Sequence, residues 1–170
     1  MLDSTAQTLT SGEQLQVRTN IGAQSSAATA SFVSRLAALT PVTNDGTERI
    51  FLTTGGYDQV EILDATNSFN PATGVFTAPE AGVYRFDAQT SYNNFPGTRS
   101  MLYLFVNGVA TRALSDFYTP AIPIRNLGFG YLTLAQGDEV QLGYNISGGS
   151  TSATANNITT TPSWWSGYKM

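Results

Sequence analysis

An antiparallel β-sandwich is the expected architecture for most of this 170-residue chain, and three features lead to it. From about Ser31 onward the text consists of short β-type runs divided by turn residues, and no helical periodicity interrupts them. Charged residues make up only 12% of the composition while aromatics reach 11%, so Ser, Thr, Asn and Gly must carry the solubility, a balance common in outward-facing β proteins. The length suits one domain with a sizeable core plus a short appendage, divided here as an N-terminal segment, 1–30, and a head, 31–170.

In chain order, the first element is the exception. Within the Ala-, Ser-, Thr- and Gln-rich segment 1–30, Thr10 with Glu13, or Ser11 with Gln14, forms a capping box for a short helix ending near Gly22. Such a helix is too short to stand alone and is expected to pack on other copies or on a larger assembly. In the head, Gly82–Ala88 alternates large apolar and polar residues at period two. Met101–Val106 is a nearly unbroken apolar run, followed by the hairpin signal Asn107-Gly108 and then Val109–Phe117. Ile122–Leu134 and Glu139–Ile146 flank a tight Gln136-Gly137-Asp138 turn, and Pro162–Lys169 closes the chain as a last strand. In that strand Trp164, Ser166 and Tyr168 point one way and Trp165 and Gly167 the other, so aromatics on both sides predict burial of both, one against the core and one against a neighbouring subunit.

Composition excludes several function classes. A net charge of -4, with eight Lys and Arg residues dispersed singly, offers no footprint for a phosphate backbone, so no nucleic acid is expected as a partner. Without cysteine or histidine there are no disulfides, thiolate or imidazole chemistry, or common zinc ligand sets. No stretch approaches the roughly 18 apolar residues of a membrane span, and the N-terminus lacks the pattern of a secretion signal. Synthesis in the cytosol, without membrane insertion, is therefore expected. The sequons at Asn145 and Asn157 carry no meaning on that route.

Nor is an enzyme expected. Of the twelve carboxylates, Asp58 and Asp64 share a strand face that Glu61 does not, and Asp138-Glu139 sit in a turn, so no acid/base pair for glycosidic cleavage is evident. A serine nucleophile would have only Lys169 as a base. Gly128-Phe129-Gly130 begins like a dinucleotide loop, but position 133 is Thr and no helix follows, so the glycines read as points of close packing. No calcium loop of the Asp-x-Asp-x-Asp type occurs, and neither a metal nor a cofactor is expected.

The run Phe76-Thr77-Ala78-Pro79-Glu80-Ala81-Gly82-Val83-Tyr84-Arg85-Phe86 resembles the pattern of the C1q domain. Asn107-Gly108, Leu134-Ala135-Gln136-Gly137-Asp138-Glu139-Val140 and Trp165-Ser166-Gly167-Tyr168 follow in the family's order, and Ser31-Phe32-Val33 stands where a first strand belongs. The resemblance implies a ten-strand jelly roll of two sheets and a compact homotrimer, as in the C1q and tumour-necrosis-factor superfamily. No collagen stalk is present. Instead, Leu9–Ala23, with its Gln-x-Arg-x-Asn-Ile-Gly-Ala text, resembles a segment found in phage tail fibres before a distal domain. Together they imply a virion component docked on another virion protein through residues 1–30, with a head that binds a host-surface glycan or protein. The alternative is a structural virion protein, such as a capsid fibre, decoration or baseplate connector, that binds no receptor.

Two sets of residues follow from this reading. Phe76, Tyr84, Phe86, Tyr131, Trp164, Trp165 and Tyr168 lie in strands and are assigned to the core or to trimer contacts. Successive antiparallel strands place alternate connections at opposite ends: 79–82, 107–108, 136–138 and the C-terminus at one pole, and the longer connections 92–99, 117–123 and 147–161 at the other. Loops on a rigid scaffold are where recognition concentrates. Tyr92, Asn94, Phe95, Arg99, Phe117 and Tyr118 are accordingly the candidate receptor contacts.

Overall fold

Period-two alternation and tight turns do what they dictate: the chain folds into two facing antiparallel sheets. The structure is a computed structural model that describes residues 30–36, 40–51, 59–64, 66–92, 98–118, 124–148, 156–158 and 163–170. The expected helix within 1–30 lies outside the described residues, as do Asn94 and Phe95.

The strands among the described residues are β1 (Ser31–Leu36), β2 (Thr40–Val42), β3 (Arg49–Ile50), β4 (Gln59–Asp64), β5 (Phe69–Asn70), β6 (Val75–Thr77), β7 (Gly82–Tyr92), β8 (Arg99–Val106), β9 (Val109–Tyr118), β10 (Ile124–Leu134), β11 (Glu139–Ser147), β12 (Asn156–Ile158) and β13 (Trp164–Lys169). One sheet runs β4-β1-β13-β7-β10, with β12 and β2 continuing it beyond the end of β13. The other runs β5-β6-β11-β8-β9, with β3 on the same edge of β11 as β6. We call them the first and second sheets. All the long strands read from the sequence are present; the two- and three-residue strands are too short to show a period.

The core between the sheets is an aromatic cluster. The rings of Phe32 and Phe69 stack at 4.6 Å, and Trp165 meets Phe32 edge-on at the same separation. Phe76, Tyr84 and Phe86 complete the layer, all fully buried. Each such ring removes roughly 150–250 Å² from water, which makes this cluster the main stabilising element of the sandwich. It also explains Gly167: a Cβ there would lie 2.6 Å from the Phe86 ring and 2.7 Å from Phe32.

One open side of the sandwich is closed by β9 and β10. Strand β9 bulges twice against β8, at Thr111 and at Leu114, and the second bulge places Leu114 toward β10. A Cβ at Gly128 would sit 2.6 Å from the Leu114 carbonyl oxygen, and one at Gly130 would sit 2.8 Å from its side chain. The Gly128-Phe129-Gly130 text is thus a packing device, as expected. The bulges also interrupt an edge that would otherwise template pairing with another chain.

The tight turns gather at one pole. Asn107 and Gly108 both adopt positive φ, 51° and 79°, which suits a two-residue hairpin. Asn107 Nδ2 donates to Asp138 Oδ1 at 2.9 Å, Gly137 N donates to the Ala78 carbonyl at 2.8 Å, and Lys169 pairs with Glu80 at 2.8 Å. Ala30 is bound there too, its carbonyl accepting from Lys169 N at 2.9 Å. The chain therefore enters the head at the pole of short turns, opposite the ends of the strands that lead into 93–97 and 119–123.

Candidate functional site

At the far pole, β8 begins and β9 ends side by side, with Arg99 opposite Tyr118 and Met101 opposite Asp116. Directly opposed residues share a sheet face, so Arg99, Asp116 and Tyr118 meet on the outer surface of the second sheet. Arg99 Nε donates to Asp116 Oδ1 at 2.8 Å and Nη2 to Oδ2 at 2.7 Å, a fork-to-fork pair. The guanidinium lies 5.2 Å from the centre of the Tyr118 ring. Its hydrogen bonds hold the Asp116 carboxyl below its ordinary range, and Asp116 in turn raises Arg99. Tyr118 is the most exposed aromatic among the described residues, at 67%, while Phe117 is exposed and, by alternation, faces the other way.

Tyr92 does not join them, which corrects the expectation that it is a receptor contact. The sequence places Tyr92 at the start of a long connection, 92–99, yet β7 runs on past Ala88 through it, and Tyr92 ends the strand fully buried. Its hydroxyl accepts a hydrogen bond from Ser100 Oγ at 3.2 Å, and burial pushes its pKa up. Of the remaining candidates, Arg99 and Tyr118 come together on the outer face, while Phe117 lies at the same pole on the opposite face.

Beneath the Arg99–Asp116 pair runs a buried polar network that sequence reasoning missed. Asn126 Nδ2 donates to the carbonyl and to Oγ of Ser100, both at 3.1 Å, and its Oδ1 accepts from Ser115 Oγ at 2.5 Å. Ser100 neighbours Arg99 and Ser115 neighbours Asp116, so the network ties β8, β9 and β10 where the pair is displayed. A single Asn in an apolar run carries little signal by itself; its place opposite two serines is set by register.

The other surface of note is the outer face of the first sheet. Phe76, Tyr84, Phe86 and Trp165 are core, but Tyr131 and Tyr168 are exposed and Trp164 half-buried, so these three are not core residues. Strand register lays Tyr131, Arg85 and Tyr168 in one row and Phe129, Asp87 and Ser166 in the next. Leu127, Phe129 and Val83 extend the apolar field, exposed at 64, 58 and 44%. At its centre Arg85 pairs with Asp87 at 2.8 Å and lies 5.1 Å from the Phe129 ring and 5.9 Å from Tyr131. Leu127, Phe129, Val83 and Arg85 were not singled out from the sequence. The alternation in β10 could have marked the first two: its large residues face outward because the Leu114 bulge leaves room only for glycine inside.

Six of the described carboxylates have structural roles. Asp45 pairs with Arg49 and caps Thr47, which lowers its pKa to about 2. Asp64 accepts from the Thr66 and Phe69 amides, and Asp138 from Asn107 and the Ala135 amide. Asp87, Asp116 and Glu80 are in ion pairs. What these groups can offer a ligand is recognition: aromatic faces, amides and paired charges.

Residues 46–170 match the C1q domain, and the chain belongs to that family. No curated protein sequence matches it. Among solved structures it is similar to the globular domain of zebrafish complement 1qA, with 23% identity, 84% of this chain and 97% of that one covered, and a TM-score of 0.56. It is also similar to murine APRIL, at 12% identity, 83% and 98% coverage and a TM-score of 0.58. Eiger TNF from S. frugiperda follows at 14% identity, 84% and 92% coverage and a TM-score of 0.53. These likenesses establish the jelly-roll fold.

Proposed function

We propose that this chain is a phage tail-fibre or receptor-binding component: a homotrimeric head that binds a host-surface glycan or protein, attached to another virion protein through residues 1–30. The observation that carries the self-association is the outer face of the first sheet. Leu127, Phe129, Tyr131, Val83 and Tyr168 make a contiguous apolar field, and the one Arg–Asp pair inside it is internally neutralised. Monomeric soluble proteins rarely leave such a field in water, and a specific interface needs about 800 Å² from each partner. The family's jelly roll supports the same reading.

The virion assignment rests on the resemblance of Leu9–Ala23 to tail-fibre segments and on the polarity of the head. Ala30 is fixed beside Lys169 at the pole of short turns, so an anchor formed by the preceding residues leaves the opposite pole, where β8 begins and β9 ends, facing outward. The test uses the full chain: its mass in solution, then adsorption of labelled protein to a panel of bacterial strains. A mass three times that of the chain and saturable adsorption to particular strains are expected. A monomeric mass at micromolar concentration overturns the trimer, and a trimer that adsorbs to no strain favours a structural virion protein.

A further inference from the structure

The far end of the β8–β9 ribbon carries a charge pair and an aromatic ring that self-association through the first sheet leaves in water. We propose that Tyr118, Arg99 and Asp116 form a binding site for a neutral saccharide, recognised through a pair of adjacent hydroxyl groups and the C–H face of its ring. The inference rests on the reading of the head as a binding unit and gives that unit a position and a ligand chemistry.

Three observations define the ligand. Tyr118 is 67% exposed, and its ring is supported by the Arg99 guanidinium at 5.2 Å, which makes it a platform for an apolar ring face. The guanidinium spends Nε and Nη2 on Asp116, while Nη1 has no partner among the described residues. Each Asp116 oxygen accepts one bond from Arg99 and keeps further lone-pair capacity. Donors and acceptors therefore stand side by side, which is what two adjacent hydroxyls require, since each both gives and accepts a hydrogen bond.

The charge balance disfavours the main competitors. A phosphate, sulfate or carboxylate on the free Nη1 side of Arg99 would meet the neighbouring Asp116 charge, and an ammonium on Asp116 would meet the Arg99 charge. The neutralised pair therefore gives neither ion a net electrostatic gain unless the pair is broken, which forfeits two charge-assisted bonds. A polyhydroxylated ligand adds to the pair without breaking it. The three side chains sit on strands, tied from below by Asn126, so the geometry exists before the ligand arrives. A single shallow site of this kind binds weakly, and three copies on one head raise the effective affinity.

The test applies full-length protein to an immobilised panel of neutral and charged oligosaccharides and bacterial polysaccharides, alongside adsorption to the strain panel. Binding to a subset of neutral saccharides is expected, with Tyr118→Ala and Asp116→Asn each losing about tenfold or more, as for truncation of an interface hot spot. Tyr118→Trp should stay within about threefold of the parent because it keeps the stacking face. The near-isosteric Asp116→Asn keeps the test decisive should Tyr118→Ala disturb the fold. Saccharide binding that survives both substitutions overturns the site while leaving the adhesin reading intact. Binding only to charged glycans overturns the ligand chemistry, and adsorption to cells without any saccharide binding points to a protein receptor and overturns the proposal. Absence of both defeats the adhesin reading as well.

Discussion

The head displays the same chemical device on its two outer faces, an Arg–Asp pair with aromatic rings against the guanidinium, and the two copies sit in opposite surroundings. Arg85–Asp87 lies in the middle of the first sheet, within a field of Leu127, Phe129, Tyr131 and Tyr168. Arg99–Asp116 lies at the end of a bulged edge ribbon on the second sheet, beside an exposed Tyr118. An ion pair gains or costs according to what surrounds it: exposed pairs contribute little, whereas breaking a buried pair strands a charge. We therefore read the first as part of a self-association surface, where one neutralised pair can fix the register of subunits, and the second as a solvent-facing recognition site.

The largest expected effect is that of Phe129→Asp. An unpaired carboxylate in the middle of the first face should shift the protein to a monomeric mass at micromolar concentration in light scattering, because a charge buried without a partner costs several kcal/mol. A trimer of unchanged stability would place the interface elsewhere.

Next comes a matched pair of substitutions that sets the two faces against each other directly. Asp87→Asn leaves Arg85 uncompensated in the apolar field and should weaken association about a hundredfold or more, read from the concentration dependence of the mass. Asp116→Asn should leave association unchanged and move the melting temperature by less than about 3 °C, because an exposed pair contributes at most about 1 kcal/mol. Equal effects from the two would remove the distinction between the faces.

A smaller and purely thermodynamic effect is expected for Asn126→Ala. Ser100 and Ser115 would lose their common partner, at a cost of about 1–3 kcal/mol and a lower melting temperature, with oligomeric mass retained. Unaltered stability would mean that water replaces the amide and that the network does not hold the ribbon.

The smallest effect is the response to acid. Asp45 is lowered from 3.8 to about 2 by Arg49 and the Thr47 amide, and Asp116 and Asp138 are lowered by Arg99 and by Asn107 with the Ala135 amide, respectively. A carboxyl whose folded pKa is depressed stabilises the fold above its unfolded value and loses that contribution as pH falls through the folded value. Stability should therefore be flat from neutral pH down to about pH 4 and decline between there and about pH 2. All three groups are exposed, so the shifts are modest and screened by salt. A decline that begins near pH 6 would implicate other groups.

The long strands and the tight turns were legible from sequence because they rest on local rules. Alternation at period two marks β7 and β13, an unbroken apolar run marks β8, turn residues bound β10 and β11, and Asn107-Gly108 can adopt the positive φ angles that a hairpin needs. Counting strand parity then assigned 79–82, 107–108, 136–138 and the C-terminus to one pole, where Asn107, Gly137 and Lys169 now meet Asp138, Ala78 and Glu80. Alternation alone also separated Trp165 and Gly167 from Trp164, Ser166 and Tyr168, but left open which set faces inward.

Tyr92 marks where that reasoning stopped. The period-two pattern was read only as far as Ala88, and Gln89-Thr90-Ser91 offers no apolar period to extend it; β7 nevertheless continues, with Thr90, Ser91 and Tyr92 buried. Alternation in β10 could set Phe129 on the face opposite Gly128 and Gly130, but that this is the outer face depends on Leu114, fourteen to sixteen residues from those glycines, filling the space inside β10. The junction of Arg99, Asp116 and Tyr118 was hidden as well, because it needs the β8–β9 register and its two bulges. Sequence by itself determined what each residue can do within a few neighbours along the chain: its turn, its strand and its side of the strand. Tertiary structure alone decided which sides are covered and which charges meet, because burial and pairing depend on atoms that only folding brings together.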